Sequence, residues 1–159
     1  MADRLFSDWE SLISACKDAT SSILKKEVAP VAEEILKKHI QSDIYGVYTP
    51  KEGRWVNGTT YQRRHVLESG ITSIYPKNDT LLVTSVATAS PSVVKGYSFR
   101  NRQPGAFLKL LETGNMGIWR NGFPRPAVAN TEKEFDGSPE INRAILQGIE
   151  RTIGKSDLI

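Results

Sequence analysis

Cys16, His39, His65 and the adjacent Glu33-Glu34 are the residues whose types most readily carry nucleophilic, acid–base or metal chemistry. A thiol attacks only as a thiolate, beside a base or a cation. Nothing in the sequence pairs such a base with Cys16, so it is read as a small apolar side chain on a helix stripe, for a core or an interface. As the single cysteine it also excludes an internal disulfide framework. Two histidines cannot complete a metal site alone. His39 falls near the end of a helical stretch, where a cation suits the helix dipole, and His65 follows Arg63-Arg64; both are read as structural or exposed. Consecutive residues on a helix point in different directions, which makes Glu33-Glu34 a solvated face rather than an acid–base couple. Arg63-Arg64-His65 with Tyr61 offers guanidinium forks and a stacking ring for phosphate, but no recognised nucleic-acid motif surrounds it. The chain holds no H-E-x-x-H, no phosphate-cradling glycine loop, no G-x-S-x-G, no paired C-x-x-C and no EF-hand loop. The expectation is a protein without catalytic residues, metal or cofactor, acting by assembly with other proteins.

At 159 residues, with 39% hydrophobic and 25% charged side chains, the chain suits one compact globular domain. No apolar run approaches the roughly 18 residues of a membrane span. The first residues, Met1-Ala2-Asp3-Arg4-Leu5-Phe6-Ser7-Asp8, show neither a positive nor an apolar signal region, so a soluble chain starting in a cytoplasm is expected. The net charge of +3 is unevenly spread. Residues 1–45 carry 6 basic and 8 acidic residues, residues 46–125 carry 11 and 4, and residues 126–159 carry 4 and 6. A basic middle suits nucleic acid, an acidic protein surface or simply a solvated face.

The elements that must position these residues follow from periodicity. Ser7-Asp8-Trp9-Glu10 fits a capping box, which sets a helix start. Trp9, Leu12, Ile13, Cys16, Ala19, Ile23, Leu24, Val28, Val31, Ile35 and Leu36 recur at three- and four-residue steps, one apolar stripe along a long amphipathic helix. Pro30 lacks an N–H and crowds the preceding turn, so the helix kinks there or restarts and runs to about Ser42. Beyond residue 44 turn residues arrive more often, and an antiparallel sheet is expected over 44–112. Trp55-Val56-Asn57-Gly58-Thr59-Thr60-Tyr61 places Asn-Gly at a hairpin tip. His65 to Ile74 and Thr80 to Ala87 read as strands, joined by Tyr75-Pro76-Lys77-Asn78-Asp79. Residues 90–105, with Pro91, Gly96, Pro104 and Gly105 beside Lys95, Arg100 and Arg102, read as a long basic loop. Ser138-Pro139-Glu140 opens a C-terminal helix striped by Ile141, Ile145, Ile149 and Ile153. The fold class is therefore α+β: a long N-terminal helix packed on an antiparallel sheet, with helical structure over 123–154.

Phe107-Leu108-Lys109-Leu110-Leu111-Glu112-Thr113-Gly114, followed by Gly122-Phe123-Pro124-Arg125-Pro126-Ala127 and a helix, resembles the neck and tail-completion proteins of long-tailed bacteriophages. In that family an apolar segment ending in Glu-x-Gly precedes an aromatic, Arg and Pro-Ala step into the C-terminal helix. The order of elements is similar over most of the chain, with Tyr45, Tyr48, Pro50, Tyr61, Arg63 and Arg64 standing for a Tyr/Pro/Arg-rich segment. The resemblance implies a virion subunit forming a ring with itself, a hexamer in that family. Its implied partners are the head–tail connector or stopper protein and the tail terminator or tail-tube protein, with DNA passing through the lumen a partner at most indirectly, and no membrane.

The same residues suit such a ring physically. A cyclic interface is heterologous, so each subunit carries two complementary surfaces and tolerates apolar patches that close on assembly. Trp55, Tyr61, Trp119 and Phe123 are candidates for those patches, with Arg63, Arg64, Glu112 and Arg125 as polar interface residues. Lys95, Arg100 and Arg102 would line the lumen or meet an acidic partner. The alternatives are a basic nucleic-acid-binding module and, further off, an enzyme whose site forms between subunits.

Overall fold

The computed structural model describes residues 8–47, 65–87, 106–113 and 124–153. They form helices α1 (Trp9–Ile23), α2 (Ala29–His39), α3 (Val66–Ser69), α4 (Ala106–Thr113), α5 (Ala127–Gly137) and α6 (Pro139–Ile153). Strands β1 (Ile71–Lys77) and β2 (Thr80–Ser85) make a two-stranded antiparallel sheet. The fold is mostly helical with this small sheet, within the expected α+β class. No described helix is long and apolar enough to cross a membrane.

Helix α1 starts where expected, but Asp8 supplies the cap. Its carboxylate accepts from the Ser11 N–H at 2.7 Å. The break expected at Pro30 is a π-helical segment, Leu24–Val28, just before it. There the Ala29 N–H reaches back five residues to the Leu24 carbonyl. This wider turn leads directly into α2, so the chain passes the proline without leaving helical geometry. A second π-segment, Ile40–Gly46, extends α2 beyond the expected end near Ser42. Both segments alter which face later residues present.

The chain gathers into two compact units, one built from 1–32, 73–82 and 138–159, the other from 33–72 and 83–137. In the first unit α1 and its π-segment lie along α6. The cap of α6 is as expected: the Ser138 hydroxyl accepts from the Ile141 N–H at 3.3 Å and donates to Glu140 at 2.9 Å. Its stripe is different. Ile141, Ala144 and Gly148 are buried, whereas Ile145 is exposed. A strict four-residue spacing drifts about 40° per step around an α-helix; Ile149 is half-buried, and the small residues Ala144 and Gly148 stand at the contact. Gly148 is required there, because a Cβ on it would stand 2.6 Å from Ile23 Cγ2. Arg151 pairs with Glu27 at 2.9 Å and donates to Ser22 at 3.3 Å across the same contact, while Lys25 sits 5.4 Å above the Tyr75 ring. The start of the stripe is not core: Trp9, Ile13 and Cys16 are exposed.

The second unit closes around Leu36, Ile40, Ile44, Leu67, Leu108, Leu111 and Ala127, edged by Tyr45, Ile71, Val83, Ala87 and Val128. Leu36, Ile40 and Ile44 are again four apart. Here the wider π-turn offsets the α-helical drift and keeps all three on one core. Two sequence expectations change in this unit. Val66–Ser69 is a helical turn rather than strand: His65 adopts the left-handed region (φ 49°), and the chain then turns so that the Ser69 and Gly70 N–H groups reach the His65 and Val66 carbonyls. The Leu67 N–H, free at this helix start, is taken by the Tyr45 hydroxyl at 3.2 Å. Ala106–Thr113, placed within the sheet region by sequence, is helix α4, its Leu108 and Leu111 three apart and both buried. Strand β1 continues through Pro76, so the turn shrinks to Asn78-Asp79; among the described residues each strand pairs along one edge, and proline is accommodated on the other.

Candidate functional site at helix α5

Helix α5 follows the Arg125-Pro126-Ala127 step and is held at two places within the second unit. The first is its N-terminus. Pro126 has no acceptor side chain to cap the helix, and α5 has no acid in its first turn. Glu112, from the end of α4, supplies both needs: its carboxylate accepts from the Val128 N–H at 2.9 Å and the Ala129 N–H at 3.1 Å. These are donors left free at a helix start, at the positive end of the dipole. The Arg125 N–H donates to the Leu111 carbonyl at 3.1 Å, which fixes the step itself.

The second place lies along the helix. Asn130 and Glu134 are four apart and share a face of α5. His39 and Asp43 are likewise four apart, across the junction of α2 and its π-segment. His39 Nδ1 lies 3.0 Å from Asp43 Oδ2, and Nε2 lies 2.9 Å from Glu134 Oε2. Asn130 donates to the same Asp43 oxygen at 2.8 Å, Ser42 donates to the other at 2.7 Å, and Lys38 Nζ meets both Glu134 oxygens at 2.7 and 2.9 Å. The His39 side chain is 13% exposed.

The electrostatics are those of paired carboxylates. Burial pushes the Asp43 carboxyl up, but hydrogen bonds from Asn130, Ser42 and His39, with the charge of His39, outweigh it and hold the group below its ordinary value. The Lys38 hydrogen bond holds Glu134 low against a smaller burial effect, helped by His39. Both ring nitrogens of His39 face carboxylates, so neither is open to ligate a metal or to take a substrate proton. This arrangement joins helices. Among the described residues no group of three or more His, Cys, Asp or Glu is arranged to hold a metal ion.

Of the residues singled out by sequence, Glu112 and Arg125 are brought together at the start of α5. Glu112 is half-buried and commits both oxygens to that helix; Arg125 is half-buried in the step. Trp55, Tyr61, Arg63, Arg64, Lys95, Arg100, Arg102, Trp119 and Phe123 lie outside the described residues, as do the Asn57-Gly58 hairpin tip and the basic loop. His65 is exposed, meets Glu68 at 3.1 Å and sets its ring edge-on to Tyr45 at 4.8 Å. Glu34 pairs with Lys37 at 3.5 Å, a surface contact. Sequence reading missed Lys38, Asp43, Asn130 and Glu134. The i,i+4 spacing of His39 with Asp43 and of Asn130 with Glu134 was the available signal; their meeting depends on tertiary structure.

The fold and this site define a mostly helical α+β protein whose polar centre joins helices. The YomN family matches residues 8–151, and the chain belongs to that family. The name is that of a protein from the Bacillus phage SPbeta region, which points to a phage-derived protein. Comparison with curated proteins and with solved structures finds no match.

Proposed function

We propose that the chain is a structural virion protein, a ring-forming subunit of the phage neck or tail-completion complex between the head connector and the tail tube. It acts by assembly and not by catalysis, in the host cytoplasm before assembly and in the virion afterwards. The observation that carries this reading is membership, over residues 8–151, of a family tied to a phage region. The Glu112 clasp adds to it: the segment that resembles neck proteins leads through a fixed step into α5. So do the apolar side chains left outside the described packing. Trp9 is 72% exposed and Leu146 57%, with Ile13, Cys16 and Ile145 exposed on the same two helices. A ring subunit carries surfaces of this kind until its neighbours cover them.

Native mass spectrometry of the purified chain, alone and with connector and tail-tube components, tests the proposal. Closed rings or stable complexes with those components are expected. A monomer indifferent to them contradicts it. Tight, sequence-independent DNA binding by the monomer that weakens steeply with salt would instead favour the nucleic-acid-binding alternative.

A further inference from the structure

Helix α1 carries an exposed seam. Trp9, Ile13, Cys16 and Thr20 are all exposed and follow one another at steps of four, three and four, the spacing of successive d and a positions in a coiled coil. The Thr20 hydroxyl is already satisfied by the Cys16 carbonyl at 2.9 Å, which leaves its methyl group for apolar contact. Along one edge of the seam, at the g positions, Leu12 and Ala19 are half-buried; along the other, at the e positions, Glu10 and Lys17 are exposed. We propose that this seam docks a second copy of the same chain, with the two α1 helices antiparallel about a two-fold axis.

The charges choose both the occupant and its direction. In an antiparallel pair the e edges of the two helices meet, whereas a parallel pair sets each e edge against the other helix's g edge. Antiparallel pairing that stacks Ile13 on Cys16 of the second copy, and Trp9 on its Thr20, brings Glu10 beside Lys17 of the second copy and Lys17 beside its Glu10. Both ends of the contact then join opposite charges. A parallel pair would set both charged residues against Leu12 and Ala19. Helix α6 has an exposed face of the same spacing through Asn142 and Leu146, with Arg143 and Glu150 at the matching edge. An antiparallel contact of α1 with α6 of another copy would set Glu10 by Glu150 and Lys17 by Arg143, like against like, which disfavours that partner. A two-fold contact closes on itself and does not run round a ring, so it joins two copies, or two rings, and stands independently of the virion reading.

Sedimentation of the full chain at micromolar to millimolar concentration tests the pairing, with circular dichroism to confirm that each variant is folded. The seam is smaller than the roughly 800 Å² per partner of a standard interface, so a weak, concentration-dependent pairing is expected. Ile13→Asp should abolish it. Glu10→Lys or Lys17→Glu makes both edge contacts repulsive and should weaken it roughly tenfold, an effect that shrinks in high salt. The double reversal, Glu10→Lys with Lys17→Glu, should restore it. Mild oxidation reads the direction through the native thiol: parallel helices would set Cys16 beside Cys16 of the second copy, whereas the antiparallel register holds the two apart, beyond the roughly 7 Å between Cα atoms that a disulfide can span. A chain that stays monomeric throughout, a double reversal no better than the single ones, or ready formation of a Cys16 disulfide dimer overturns the proposal. Rings that persist in Ile13→Asp would keep the virion reading and overturn this pairing alone; pairs that are lost in Ile13→Asp, from a chain that never forms rings, would do the reverse.

Discussion

In the first unit α1 and α6 meet over small residues, with Gly148 admitting Ile23, and leave Trp9, Ile13, Ile145 and Leu146 facing outward. In the second, aliphatic side chains from the helical run, α3, α4 and α5 enclose Ile40, and carboxylate clasps hold α5 at its start and along its length. The first contact depends on how closely two backbones approach, the second on a core and on directional polar bonds. The first unit accordingly leaves apolar side chains exposed among the described residues, while the second fixes the step through Arg125. Changes that perturb one kind of closure should leave distinct signatures from those that perturb the other.

The largest effect is expected in the second unit's core. Ile40 is fully buried, so Ile40→Ala should cost about 2–5 kcal/mol in urea unfolding through lost transfer energy and a cavity. Next comes Gly148→Ala. Alanine favours a helix by up to about 1 kcal/mol over glycine, but overpacking against Ile23 costs about 1–3 kcal/mol, so net destabilisation is expected. The same change made in an Ile23→Ala background should be neutral or stabilising. If Gly148→Ala destabilises both backgrounds equally, close approach is not what requires the glycine. Glu112→Ala should cost about 1 kcal/mol, the usual worth of a helix cap, and should speed exchange at the Val128 and Ala129 amides before others in α5.

The smallest effect is acid sensitivity. Asp43 and Glu134 are held below their ordinary values in the folded chain, so their stabilising contribution is present above the unfolded-state values and is lost as pH falls through the folded ones. Urea stability of the wild type should therefore drop between about pH 5 and 3, and Asp43→Asn should drop less over the same interval. An identical slope in the variant would remove Asp43 from that account.

Local signals were legible wherever they acted within a turn or two. The helix start near Trp9, the Ser138 cap and the interruption before Pro30 all follow from neighbouring residues, as does the strand at Thr80–Ser85. Errors arose where distant structure decides. The left-handed His65 and the Tyr45 hydroxyl give a helical turn at Val66–Ser69, where β-prone side chains suggested a strand. The apolar run Ala106–Thr113 is too short for periodicity to separate strand from helix. Cys16 lay on an apolar stripe, yet only packing against α6 determines which part of the stripe is buried. At α5, the residue type marks Glu112 as a polar contact, but its use as a remote cap depends on the fold, which alone joins Pro126 and the α4 carboxylate.

A structural role in the virion can be checked by peptide mass spectrometry of purified phage particles, or tail-like particles, produced with this chain present. The chain should be a reproducible component, in a small fixed ratio to the connector and tail-tube proteins as a ring requires. Intact, tail-bearing particles that lack it would contradict its role as a structural subunit.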